Sequence, residues 1–250
     1  MRVMMFAPHP DDEVIGCGGS LINWHRAGAE VSTVFLTSGD AGVAATPRAA
    51  AGPLREDEAR AAGRVLGTGD PEFLRQPDGC LAETPALMTR LIELIRSRRP
   101  HLVYLPHSAD AHPDHLATHH LVRKAVATAG TTCWPEAGGD AWTVGTELGY
   151  EVWSAISRPG YLEDVTDVQD DALAALAQHR SQLEDVPYDQ RVRGLAAFRG
   201  AWLGRGRHAE AFEVLRLSGL PGAHAGPVAG GPVGGPAPGT TDGPAPRVRP

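Results

Sequence analysis

Apolar positions along this chain follow two rhythms. Val3-Met4-Met5-Phe6-Ala7 is a continuous apolar run, the mark of a strand buried on both faces. Residues 14–27 then read as a helix with Leu21, Ile22 and Trp24 inward and Gly28 as its stop. Val31-Ser32-Thr33-Val34-Phe35-Leu36-Thr37 reads as a second strand, and a loop rich in Gly, Ala and Pro leads into a helix over residues 54–66, closed by Gly67. Glu72-Phe73-Leu74 suggests a short strand. Thr84-Pro85 is a helix start, with Leu87, Leu91 and Ile95 recurring at helical spacing. Leu102-Val103-Tyr104-Leu105 is another buried-type strand, followed by a helix over residues 112–129. Strand-like segments come at 150–156 and 162–168, and helices near 171–183, 190–198 and 209–217. The alternation implies an α/β fold with a mostly parallel sheet and right-handed crossovers.

The chain has 250 residues, 42% hydrophobic and 21% charged, which suits one α/β domain over residues 1–217. Residues 221–250 hold eight Gly and eight Pro, so residues 218–250 read as a disordered tail. The net charge of −7 comes without a basic stripe, which argues against nucleic acid as a partner. No apolar run approaches a membrane span, and the N-terminal stretch is too short for a signal segment, so a cytoplasmic protein is expected. Cys17, Cys80 and Cys133 are odd in number and widely spaced, giving neither a disulfide framework nor a metal pair.

Two similar tetrapeptides carry the chemistry. The first strand runs into His9-Pro10-Asp11-Asp12, followed by Glu13, and a later strand is followed by His112-Pro113-Asp114-His115. In each, Pro fits the first position of a helix and His sits just before it. Residues three apart, such as His9 and Asp12 or His112 and His115, then lie side by side. One such segment is often just a helix start, because Asp satisfies free N–H groups there. Two of them at the carboxyl ends of strands, where open α/β sheets bind ligands, can converge on one divalent metal. Imidazole and carboxylate together suit zinc, and two His with one carboxylate also suit ferrous iron.

These residues, in Ala7-Pro8-His9-Pro10-Asp11-Asp12-Glu13 and His112-Pro113-Asp114-His115, resemble the PIG-L/LmbE family of metal-dependent amino-sugar N-deacetylases. The resemblance continues through Arg55 and Glu58, through Pro77-Asp78-Gly79, and through Ala177-Gln178-His179-Arg180-Ser181-Gln182. It implies a Rossmann-like three-layer sandwich with the metal site at the C-terminal ends of the strands. It also implies Zn2+, or Fe2+ or another divalent metal, held by His9, Asp12 and His115. Asp11 would be the general base that activates water. His112 would stabilise the tetrahedral intermediate and protonate the departing amine, with Asp114 orienting it. Arg55 and Asp78 match positions that contact the sugar. Some members have Tyr two residues before the second motif, where this chain has Asp110. The implied substrate is an N-acetylglucosamine-type amino sugar or glycoside, in an antibiotic, low-molecular-weight thiol or glycolipid pathway. A metal hydrolase of a non-sugar amide or ester and a non-catalytic sugar-binding protein stay open, as does a homo-oligomer.

Other features rank lower. Gly16-Cys17-Gly18-Gly19 opens the first helix, but Leu21 stands where a dinucleotide fingerprint needs Gly, so tight packing of this helix on the metal loop is the expected reason for these glycines. His119, on the same helix face as His115, suits either a group beside the site or a solvent or core residue; His107 could line the pocket but reads first as structural, and His179 reads as structural or superficial. Trp134 and Trp142 flank a Gly-rich insert that would suit a loop folded over the site.

Overall fold

The apolar runs assemble, in a computed structural model that describes residues 1–184 and 186–218, into a seven-stranded sheet covered on both faces. The strands are β1 (Arg2–Ala7), β2 (Glu30–Thr37), β3 (Glu72–Gln76), β4 (Leu102–Pro106), β5 (Thr146–Tyr150), β6 (Tyr161–Asp164) and β7 (Ala209–Leu217). The helices are α1 (Asp12–Arg26), α2 (Arg48–Leu66), α3 (Pro85–Arg98), α4 (Pro113–Ala129), α5 (Gln169–Leu176), α6 (Arg180–Leu183) and α7 (Tyr188–Gly200). Strand order is β3-β2-β1-β4-β5-β7-β6. The first five strands in chain order are mutually parallel; β7 runs antiparallel to β5 and β6.

Alternation along each strand builds the three layers. Val3, Met5 and Ala7 of β1, with Leu102 and Tyr104 of β4, face the core shared with α1, α2 and α5. Met4 and Phe6, with Val103 and Leu105, face the core shared with α3 and α4. The Thr84 side chain caps α3 by accepting from the Leu87 N–H at 3.1 Å, as Thr84-Pro85 foretells.

Four expectations are corrected. Residues 209–217 form a strand, because Ala209–Leu217 pairs with β5 on one side and β6 on the other, and two ladders outweigh the helical propensity of Ala, Glu and Leu. The strand expected over 150–156 lies earlier, in Thr146–Tyr150, where it pairs with β4. The strand expected over 162–168 ends at Asp164, and a 3-10 turn follows over Thr166–Val168. The helix expected over 171–183 is broken at residues 177–179 into α5 and α6. Among the described residues no helix is long and apolar enough to cross a membrane. The Gly/Pro-rich tail lies outside the described residues beyond Ser218.

Candidate metal centre

β1 and β4 are neighbours, and strand order reverses between them, which opens a crevice beyond their carboxyl ends. β1 delivers His9 and Asp11 on the turn that enters α1; β4 leads to His112, the N-cap of α4, with Pro113 at the first position. Two helix entrances about a hundred residues apart thus open on one point. The Asp12 carboxylate sits between two imidazoles: Oδ2 lies 3.2 Å from His9 Nδ1 and 3.3 Å from His115 Nε2. One ligand-type atom from each of His9, Asp12 and His115 lies within 4.8 Å of the others.

A divalent cation fits these residues. His115 is fully buried, and among the described residues its ring nitrogens make no hydrogen bond of ordinary geometry, only looser approaches to the Asp12 and Asp110 carboxylates at 3.3 and 3.6 Å, an expensive arrangement for a buried polar group. Burial lowers the pKa of His9, yet Asp114, Asp12 and Asp78 outweigh it and hold the imidazole well above its ordinary value. His115 is likewise lowered by burial but lifted by Asp12 and Asp110 to about 9. Burial pushes Asp12 up, while His115 and His9 hold it well below the usual carboxylate range. The carboxylates that favour positive charge on these two buried imidazoles also favour a cation beside them, which would take the place of their protons. Two His and one Asp, with open pocket beside them, are a donor set suited to a catalytic divalent metal.

The pocket has a volume of about 300 Å³, and His9, Asp11, Asp12, Arg55, Asp78 and His112 line it together with Trp153, Gln182 and Tyr188. All eight residues singled out from the sequence lie at or beside this centre.

Residues 4–126 match the family described as PIG-L: GlcNAc-PI de-N-acetylase. Diacetylchitobiose deacetylase of Thermococcus kodakarensis is 31% identical over 230 residues, 85% of this chain and 82% of that protein. The chain belongs to the PIG-L family. A Rhodococcus erythropolis member, 1D-myo-inositol 2-acetamido-2-deoxy-alpha-D-glucopyranoside deacetylase, is 31% identical over 188 residues, 64% of this chain; the match spans only 62% of that relative's length. Among solved structures, N,N'-diacetylchitobiose deacetylase of Pyrococcus horikoshii, complexed with an inhibitor, superposes with a TM-score of 0.79 at 27% identity, covering 86% of this chain and 83% of that one.

Within this PIG-L site several side chains make contacts other than those expected. The Asp114 carboxylate lies within 4.8 Å of a His112 ring nitrogen but makes no hydrogen bond to it. Its Oδ2 lies 3.2 Å from His9 Nε2, and its oxygens accept from the Gly79 and Leu81 N–H groups at 2.7 and 3.1 Å. The Asp114 main-chain N–H donates to His112 Nδ1 at 3.2 Å instead, so Asp114 steadies that ring through its backbone. Asp78 Oδ1 also sits 3.1 Å from His9 Nε2. His9 therefore turns Nδ1 toward Asp12 and Nε2 toward two carboxylates, the arrangement in which outer carboxylates fix a ligating imidazole. Asp110 is the carboxylate on the other side of His115, with Oδ2 3.6 Å from Nδ1, farther than a hydrogen bond.

Arg55 is buried and heavily engaged. It donates from Nη1 to the Gly39 carbonyl at 2.9 Å and from Nη2 to the Pro10 carbonyl, and Nη2 lies 3.3 Å from Asp11 Oδ2. Burial raises the pKa of Asp11; Arg55 opposes it and Asp12 adds to it, leaving the carboxyl at about 6. His112 is held below its ordinary value by burial, His9 and His115.

His107 and His119 do not line the pocket. His107 bonds through Nε2 to the Ser154 carbonyl at 2.9 Å, and His119 through Nδ1 to the Pro106 carbonyl at 2.8 Å, so both pin loops around β4. The Trp134–Trp142 insert does not fold over the site. Trp134 donates to Thr89 Oγ1 at 2.8 Å, and Trp142 donates to the Pro100 carbonyl at 2.7 Å and lies under Arg2 and Arg99, at the amino ends of β1 and β4. The helix glycines serve packing, against β5 and the β6 side rather than the metal turn. A Cβ on Gly16 would stand 2.2 Å from the Tyr150 ring, and one on Gly19 would stand 2.6 Å from Val165.

Sequence reasoning missed three features. His179 is fully buried, with Nε2 2.9 Å from Glu13 Oε1. Asp110 is a buried hub, accepting from the N–H groups of His112 at 2.9 Å and Trp153 at 3.0 Å. Trp153 lies nearly parallel to the His112 ring, centroids 6.0 Å apart at 23°, and meets Tyr188 edge-on. The two motifs gave no signal of these partners, although the short segment around His179 lay within the family resemblance.

Proposed function

We propose that this protein is a zinc-dependent N-deacetylase that hydrolyses the acetamido group of an N-acetylglucosamine-type amino sugar or glycoside. The observation that carries the reading is the convergence of His9, Asp12 and His115 at the floor of a pocket that Asp11 and His112 also line. The two deacetylases to which the chain is similar by sequence each bear an acetamido sugar in their names, which supports the substrate class.

His9, Asp12 and His115 would hold the ion, which when bound supplies Lewis acidity and makes water easier to deprotonate. The chain's own groups do the rest. Asp11 takes a proton from the attacking water as its oxygen adds to the amide carbonyl carbon. His112 Nδ1 already accepts from the Asp114 N–H, so its ring proton is on Nε2. That N–H donates to the carbonyl oxygen as negative charge gathers there, a kind of interaction often worth ~3 kcal/mol. Having taken the proton from water, Asp11 can return it to nitrogen as the C–N bond breaks, giving acetate and a free amine. His112 in this reading is an oxyanion donor rather than the acid the resemblance implied. Trp153, with Tyr188 and Val152, offers apolar surface for a sugar ring in a pocket that Asp78, Arg55 and Gln182 also line.

The test is mass spectrometry of metal-loaded and chelator-stripped protein on a panel of N-acetylglucosaminides and simple amides. The expected result is metal-dependent loss of one acetyl group from the sugars and not from the simple amides. Absence of metal-dependent acetate release across the panel would reject the reading.

A further inference from the structure

Asp11 is held in a backbone conformation that side chains avoid. Its φ is 113° and ψ −29°, in positive-φ space where a non-glycine residue is strained. Such a conformation persists only where the surroundings enforce it, and here the enforcing groups can be named. The peptide between Pro10 and Asp11 is gripped at both ends by buried charged side chains. Its carbonyl accepts from Arg55 Nη2, and its N–H donates to Glu13 Oε2 at 2.9 Å. Glu13 is fixed in turn, because its other oxygen lies 2.9 Å from His179 Nε2, delivered by the break between α5 and α6. Beyond the bend, the Asp11 carbonyl accepts from the N–H groups of Val14 and Ile15, both at 3.0 Å, so the strained residue is locked to the start of α1.

An ordinary helix entrance needs none of this. At the other entrance His112 has an extended backbone, φ −85° and ψ 130°, and caps α4 with its own side chain. Asp11 makes no side-chain capping bond, so its carboxylate is left facing the pocket rather than turned back on the helix.

We infer that Glu13 and His179, working against Arg55 across one peptide group, form a clamp that holds Asp11 in this strained backbone and so aims its carboxylate into the pocket. Glu13 and His179 are positioning residues. Glu13 acts on the Asp11 main chain, and His179 acts through Glu13. The inference rests on the assignment of Asp11 as the base only for its kinetic consequence; the strain and its cause stand on the geometry.

The experiment has two arms, both on the metal-loaded full chain. In the first, Asp11→Gly and Asp11→Ala are melted side by side. Both remove the carboxylate, and they differ in the freedom to adopt positive φ. The glycine variant is expected to melt about 2–4 °C above the alanine variant. The gap is expected to close in a Glu13→Ala or His179→Ala background, where the peptide is free to relax. An alanine variant that melts as high as the glycine variant, or a gap that survives both truncations, would overturn the clamp. In the second arm, Glu13→Ala and His179→Ala are expected to lower kcat about 10- to 100-fold, with KM and bound metal little changed. Glu13→Gln is expected to recover much of that loss, since its amide oxygen still accepts from the Asp11 N–H and its amide nitrogen donates to a neutral His179. Equal damage from Glu13→Gln and Glu13→Ala, or no loss of kcat from either truncation, would reject the positioning role. Should the wild-type protein release no acetate at all, the proposed activity falls, and the melting arm still decides whether the clamp exists.

Discussion

Asp110→Ala tests the architecture of the metal centre without touching a ligand. The Asp110 carboxylate does three things. It accepts from the His112 and Trp153 N–H groups at 2.9 and 3.0 Å, and it faces His115 Nδ1 at 3.6 Å. Hydrogen bonds to a charged group are worth ~1.5–3 kcal/mol each; these two are partly buried, so the lower value applies and their loss costs about 3 kcal/mol. For a domain of this size that is a melting temperature lower by roughly 6–12 °C. The imidazole also loses its outer partner, and removing such a partner typically weakens metal affinity about 10- to 100-fold. Zinc affinity is measured by chelator competition well below the melting point, so that unfolding does not mimic metal loss, and stability by calorimetry. Asp110→Asn keeps one acceptor oxygen and is expected to fall between wild type and alanine in both. A zinc affinity for Asp110→Ala within about two-fold of wild type would show that His115 does not depend on Asp110, and would remove the outer carboxylate from the account.

Two further outcomes are expected. Trp153→Ala should raise KM for a reactive glycoside about 10-fold, or ~1.4 kcal/mol, with Trp153→Phe in between and metal content unchanged; an unaltered KM in steady-state assays would remove Trp153 from the sugar-binding surface. His179 carries a pH signature. Burial lowers its pKa, but Glu13 and then Asp11 raise it above 6.5. A raised folded pKa means that the stabilisation is complete below the unfolded value and is lost as pH climbs through the folded one. The stability advantage of wild type over His179→Gln, measured by denaturant titration, should therefore shrink from about pH 6 upward into the alkaline range, and an advantage that grows over that interval would contradict the Glu13–His179 pairing.

What the sequence made legible, and what it hid, divides along a physical line. The α/β class followed from apolar runs alternating with helical spacing. The candidate metal residues were legible because His-Pro-Asp segments mark where a strand yields to a helix, and those are the ends at which such sheets bind ligands; Pro113 does open α4, whereas Pro10 stands one residue before Asp11, the N-cap of α1. The contacts that tune the centre run between distant segments: Glu13 to His179 spans 166 positions and His9 to Asp114 spans 105, and no local pattern encodes either. β7 was hidden for a different reason, since Ala209-Glu210-Ala211 has helical propensity and only the two flanking strands make it extended. The Trp134–Trp142 insert was legible in principle. A loop that leads from a helix into the next parallel strand lies at the strands' amino ends, so topology alone places it away from a site at their carboxyl ends.

The distribution of charge explains why two neighbouring carboxylates, Asp11 and Asp12, are fit for different work. Asp12 lies between two imidazoles that hold it well below the usual carboxylate range, which keeps it charged and suits it to hold a cation. Asp11, one residue earlier, has Arg55 and then His179 to offset burial and the charges of Asp12 and Glu13, and it rests at about 6, where a group can both accept and return a proton near neutrality. What separates the pair is backbone geometry. A helical residue at position 11 would continue the run of Asp12, whereas the positive φ turns Asp11 aside toward Arg55 and the open pocket. The strain at Asp11 and the division of labour between the two carboxylates thus have one cause, the grip of Glu13 and Arg55 on the peptide that joins Pro10 to Asp11.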